Sequence, residues 1–212
     1  MVRVRFGHRQ PLAWIGCAAS AAAVVATLVL SGCRGNEEHD WQLEHTYQLG
    51  MEAMAKGQLE KAERAFRKLL EKNPGHLGAR LKLARVLVRR YGNQKDPQLI
   101  SQASELAESA VKDHPKDTGA LEVLAEVQQA AGKRAAALRT RLKLADITPN
   151  DTANLLKAAR LAVASGKEEM AEKLLERAGK LGSGQAKIEL AEMFERRGDV
   201  ARARKILESV ES

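Results

Sequence analysis

The chain has 212 residues, with 35 Lys and Arg against 27 Asp and Glu, a formal net charge of +8 and only 3% aromatic residues. The two signs interleave along the chain, which excludes the unmatched cationic face of a nucleic-acid binder. No cysteine follows Cys33, so the body of the chain holds neither a disulfide nor a Cys-based metal site.

The first ten residues carry Arg3, Arg5 and Arg9 and no acid, and residues 11–32 are almost wholly small or apolar. A basic start, an apolar run and small residues at a cleavage point describe a secretory signal. The run is also long enough to be read as a membrane span. Leu30-Ser31-Gly32-Cys33 closes it, and an acidic, polar stretch follows at once. This resembles the lipobox of bacterial lipoproteins. The resemblance implies a diacylglycerol on the Cys33 thiol, cleavage before Cys33 and acylation of the new amine. Each buried acyl methylene contributes about 0.8 kcal/mol to such an anchor. That covalent lipid is the one non-protein group expected, with no cofactor and no metal. Domain organisation is then signal 1–32, tether 33–40 and a body over 41–212. Without the signal, 32 cations stand against 27 acids, a balance of +5.

The body is rich in Ala, Leu, Glu, Lys and Arg, all strong helix formers. Helices are expected over 41–55, 59–72, 77–90, 97–112, 118–131, 134–147, 151–165, 168–180, 184–197 and 200–211. Asp96-Pro97 is a helix start, a capping side chain followed by Pro at the first helical position. It places an insertion, Arg90–Lys95, in a loop.

Small residues recur along these helices at fixed intervals. Gly50 and Ala62 lie 12 apart, as do Ala125 and Ala137, Ala159 and Ala171, and Ala191 and Ala203. Ala84 and Ala103 lie 19 apart, an insertion of seven. The interval from one pair to the next is 22 residues three times and 20 the fourth, so the unit is 34. Gly57, Gly132, Gly166 and Gly198 mark the turn inside a unit, with Gly92 one place later. Pro74, Pro115 and Pro149 close the first three units, and Gly182-Ser183-Gly184 closes the fourth.

This pattern resembles the tetratricopeptide repeat. The resemblance implies an all-α fold, a right-handed superhelical solenoid of about five helix-turn-helix units over 43–76, 77–117, 118–151, 152–183 and 184–212. Small residues sit where paired helices approach closest, because a larger side chain would force them apart. The bulky position of the second helix is Phe66 in unit one, and becomes Ala107, Arg141, Leu175 and Leu207. Arg141 is the misfit. Its stem is expected to snorkel outward while Leu138 and Leu142 take over the burial.

In the family the first helices line a groove for peptides or extended protein segments. Carried over, the groove shows Tyr47, Met51 and Met54, then Leu81, Arg85, Val88 and Arg89. Glu122, Glu126 and Gln129 follow, then Leu156, Arg160 and Val163, then Ile188, Glu192, Glu195 and Arg196. It reads as an apolar start followed by alternating cationic and anionic bands. The chaperone-tail clamp of some members needs Lys and Asn where Tyr47 and Met51 stand, so that role is not implied. Helix 200–211 carries Val200, Ile206, Leu207 and Val210, more than one buried face requires, and is a candidate for self-association.

No metal-spaced His pair, Gly-rich phosphate loop or Ser-centred elbow occurs, and the acids alternate with bases at helical spacing as surface pairs do. The expectation is therefore not an enzyme. It is a lipid-anchored scaffold or adaptor of the bacterial envelope that binds a protein or peptide partner, in assembly of an envelope or pilus-type complex. The periplasmic face of the outer membrane is favoured over the inner membrane, since Arg34 stands where a retaining Asp would. The alternative is a single-span inner-membrane repeat protein that assists maturation of a periplasmic complex.

Overall fold

A helix ends where its backbone must turn, and glycine makes the left-handed turn without steric cost. In the computed structural model, which describes residues 41–211, Gly57, Gly132, Gly166 and Gly198 all adopt positive φ, between 68° and 83°. Each separates two helices of one pair. The described helices are α1 (residues 41–55), α2 (Leu59–Lys72), α3 (Leu77–Gln94), α4 (Pro97–Asp113) and α5 (Thr118–Ala130). They continue with α6 (Arg134–Ile147), α7 (Thr152–Val163), α8 (Glu168–Lys180), α9 (Gly184–Arg196) and α10 (Val200–Glu211). The signal, Leu30, Ser31, Gly32, Cys33, the tether and Ser212 lie outside the described residues.

The links between pairs are built differently. His76, Asp117, Asp151 and Ser183 each accept a hydrogen bond from the backbone N–H three residues on, so α3, α5, α7 and α9 all start on a side-chain cap. His76, which the sequence leaves without a role, is one of these caps: its Nδ1 accepts from Ala79 N at 3.0 Å. Each such cap contributes roughly 1 kcal/mol. By contrast α2, α6 and α8 have no side-chain cap, and enter through the glycine turn.

The chain divides into two compact units, Met1–His45 and Thr46–Ser212. In the first, Trp41 stacks on His45 with ring centroids 5.2 Å apart. The second is a stack of antiparallel helix pairs in which each helix from α2 onward packs on the next, and α3 also packs on α5. Ala62, Ala84, Ala103, Ala125, Ala137, Ala159, Ala171, Ala191 and Ala203 are all buried, none more than 1% exposed, and Gly50 is buried with them. Leucines, valines and further alanines fill the space between the crossings. One continuous cluster runs from Ala137 and Leu138 through Leu155, Leu161 and Leu175 to Phe194 and Ala203. No pair buries its apolar face alone, so the neighbours complete the core.

The insertion is not a loop. α3 continues to Gln94, Gly92 is helical, and Lys95, at φ 57°, makes the turn. α3 has 18 residues and α4 17, where α2, α5 and α6 have 13 or 14. Seven residues are close to two helical turns at 3.6 residues each. Shared between two antiparallel helices, they lengthen both by about one turn and leave every buried residue facing the same way.

The reading of Arg141 is also corrected. Its side chain does not reach outward: it is 2% exposed, the largest fully buried side chain described. Arg141 Nη1 donates to Asn154 Oδ1 at 3.2 Å, and Asn154 Nδ2 donates back to the Arg141 carbonyl at 3.0 Å. Leu138 is buried as expected and Leu142 only partly so. Asn154 stands where α3, α5 and α9 carry Ala79, Ala120 and Ala186, each five residues before the small position. The interface between the third and fourth pairs thus holds a polar couple where its equivalents are apolar.

Candidate functional site

The first helices α3, α5, α7 and α9 present residues at equivalent positions on one side of the stack. Arg85 on α3 reaches α5, where its Nε lies 2.9 Å from Glu126 and its Nη2 3.1 Å from Glu122. Lys157 on α7 meets the other oxygen of Glu122 at 3.3 Å. Arg160 on α7 clamps Glu189 on α9 through both Nη2 and Nε. Of the expected bands of alternating charge, Arg85, Glu122, Glu126 and Arg160 are therefore compensated within the chain. The sequence reading found Arg85, Glu122, Glu126 and Arg160, and missed Lys157 and Glu189, each two residues before the small position.

Burial alone would raise the Glu122 and Glu189 pKa values. The hydrogen bonds and charges of Lys157 and Arg85 on the first, and of Arg160 on the second, outweigh it and hold both carboxyls below their ordinary value. Burial would likewise lower Arg85, but Glu126 and Glu122 raise it. Pairs this accessible contribute at most about 1 kcal/mol each. Their effect is on which charges a ligand can meet.

At the N-terminal end, Tyr47 is engaged inside the fold. Its ring meets the edge of Phe66 at 5.8 Å and lies 5.3 Å from His76. Met51, Met54, Leu81 and Val88 are half-buried, and Arg89 is exposed. An opening on the first-helix face lies between α7 and α9. It is a cavity of about 320 Å³ floored by Ala159, Leu175 and Met193, with Val163 at its edge. Arg160, Glu189, Glu192 and Arg196 form its rim. This joins four of the predicted groove residues, Arg160, Val163, Glu192 and Arg196, and separates them from Tyr47, Met51 and Met54.

The opposite side carries a tighter charge cluster. Glu63, 9% exposed, accepts from Arg67 Nε at 2.8 Å and from Arg90 Nη1. Burial pushes its pKa up, and the hydrogen bonds from both arginines overcome that and lower it. Glu63, Glu122 and Glu189 thus stabilise the fold above their unfolded-state value, about pH 4.3, and lose that contribution as pH falls through their lower folded values. Thermal midpoints are expected to fall below about pH 5. Glu63→Gln is expected to cost about 2 kcal/mol near neutral pH, because two arginines lose their charged acceptor. It should also flatten the acid slope of a pH series followed by circular dichroism. An unchanged slope would remove Glu63 from the account.

Among the described residues no group of three His, Cys, Asp or Glu is placed to hold a metal ion, and no helix is long and apolar enough to cross a membrane.

Family models of the tetratricopeptide repeat match residues 53–92 and 156–211. These two stretches match the tetratricopeptide repeat. No curated protein matches its sequence. Among solved structures, it is similar to MamA, at 19% identity and a TM-score of 0.65, over 76% of this chain and 92% of that one. MamA from Desulfovibrio magneticus RS-1 is 20% identical with a TM-score of 0.59, over 68% and 77%. A thermophilic tetratricopeptide-repeat protein of Thermus thermophilus is 21% identical with a TM-score of 0.56, over 79% and 89%. At these identities the likeness is one of fold: an all-helical repeat solenoid.

Proposed function

We propose that the chain is a non-catalytic adaptor that receives an extended segment of a protein partner on its first-helix face, with one apolar side chain entering the cavity between α7 and α9. The observation that carries this reading is that cavity, whose apolar floor lies inside a charged rim. Its volume, about 320 Å³, lies at the lower end for a binding pocket and suits a single side chain. Next to it, Arg160 and Glu189 compensate one another, so a segment with few net charges suits that edge of the cavity. Tyr47, which packs on Phe66 and His76, serves the fold, and the apolar anchor point moves from the N-terminal end to the fourth and fifth pairs.

The lipobox-like Leu30-Ser31-Gly32-Cys33 supports attachment to the bacterial envelope through lipid on Cys33, facing the periplasm at the outer membrane. Its work there would be to hold a partner during assembly of an envelope or pilus-type complex. Mass spectrometry of the native N-terminus tests the anchor: a chain starting at acylated Cys33 agrees, and an uncleaved, unacylated one leaves the single-span alternative. For the groove, a photo-cross-linker at Arg196 is expected to trap a discrete partner in cells, and one at Lys173 on α8 is not. Val163→Glu should reduce the Arg196 adduct about tenfold, the equivalent of about 1.4 kcal/mol. Equal adducts at the two positions, or an adduct indifferent to Val163→Glu, would overturn the assignment.

A further inference from the structure

Inside the stack, each second helix is covered by the first helix of the following pair. Four residues after the small position stand Phe66, Ala107, Arg141 and Leu175, none more than 2% exposed. Seven after it stand Leu69, Ala110, Leu144 and Ala178, at most 4% exposed. In α10 the same two positions hold Leu207 and Val210, and these are 38% and 37% exposed. The reverse holds on α1. The residue just before the small position is buried in later first helices, as Leu83, Leu124, Ala158 and Leu190, yet Leu49 is 48% exposed. Among the described residues the chain therefore shows both halves of its own repeating interface, one on α1 at Leu49 and the other on α10 at Leu207 and Val210, each exposed.

We infer that copies of this chain stack head to tail, with α1 of one copy lying on α10 of the next as α9 lies on α8. A second copy is the fitting occupant because α1 already has the register that covers a second helix. Leu49 and Gly50 stand as Leu83 and Ala84, or Leu190 and Ala191, do. The interface is heterologous, so copies add beyond two, as a ring or an open series, and do not close as a symmetric dimer. It uses the ends of the stack and leaves the cavity between α7 and α9 accessible, so it does not depend on the adaptor reading.

Sedimentation of the full chain in non-ionic detergent over a concentration series tests this. The wild-type chain is expected to pass from monomer to species beyond dimer. Leu49→Glu and Leu207→Glu, both on exposed positions, should each remain monomeric. An equimolar mixture of the two should stop at twice the monomer mass, because one intact α10 can still meet one intact α1. Far-UV circular dichroism checks each variant first, and Leu49→Gln and Leu207→Gln replace any that loses helix. A wild-type chain that stays monomeric, leaving the face to some other partner, overturns the proposal. So do single variants that still associate, as they would through the apolar N-terminal run, and a mixture that stays monomeric.

Discussion

Alanine in place of Gly50 is expected to destabilise the first helix pair by about 1–3 kcal/mol. The added methyl would lie 2.6 Å from Phe66 Cε1 and 2.8 Å from its Cζ, closer than carbon atoms can sit. Phe66 has nowhere to go. It is fully buried, and its ring is held by the edge contact with Tyr47, which also leans on the helix-capping His76. A displaced Phe66 would thus disturb α1, α2 and the start of α3 together. Phe66→Ala alone should cost more, about 3–5 kcal/mol, because the cavity left at a helix crossing cannot close fully. Phe66→Leu in the Gly50→Ala background should recover part of the first loss, since the clashing ring edge is gone. Urea titrations of Gly50→Ala, Phe66→Leu and the double variant give the coupling directly. Strict additivity would show that the methyl is accommodated without moving Phe66.

The second large effect is expected at Arg141 and has the opposite sign. Burial disfavours the charged guanidinium and lowers its pKa; Glu126, Glu122 and Asp151 offset this only in part, from a distance. Its Nε is buried without a hydrogen-bond partner among the described residues. The equivalent couple one pair later is Leu175 with Ala186, both buried. Arg141→Leu combined with Asn154→Ala copies it and removes a charge held out of water. Replacing a buried ionic group by well-packed apolar residues commonly raises stability by about 1–4 kcal/mol, and that gain is expected here. Asn154→Ala alone should do the reverse and cost about 1–3 kcal/mol, because Arg141 then keeps its charge and loses its acceptor. Denaturant midpoints of the two variants settle the matter. A double variant less stable than the parent chain would mean the polar couple contributes net stability.

The fold was legible because its determinant is local. A small side chain at a helix crossing is required wherever two backbones approach, so Ala62, Ala137 and Ala171 announce three crossings by their spacing alone. The turn glycines were legible for a related reason, since positive φ is costly for other residues. Gly92 misled because glycine is also tolerated within a helix, and nothing near it forbids α3 from continuing. Arg141 was illegible for a different reason. Whether a polar side chain is buried depends on what lies opposite it, and Asn154 lies on the next helix, at no spacing that marks neighbours on one helix. The site was only partly legible for the same cause. Repeat register places Arg85, Glu122 and Arg160 on one side of the stack, but does not say that Lys157 and Glu189 reach across to neutralise their neighbours. A cavity such as the one between α7 and α9 depends on how far two helices splay, which composition does not encode.

The longer α3 and α4 have a consequence of their own. A stack of near-identical rungs offers a bound strand many equivalent placements, each shifted by one rung, and nothing in the periodicity selects among them. Four to five extra residues make α3 longer than α2 and α5 by about 6–8 Å. That ledge breaks the translational degeneracy and gives the surface an origin from which a partner's position can be counted.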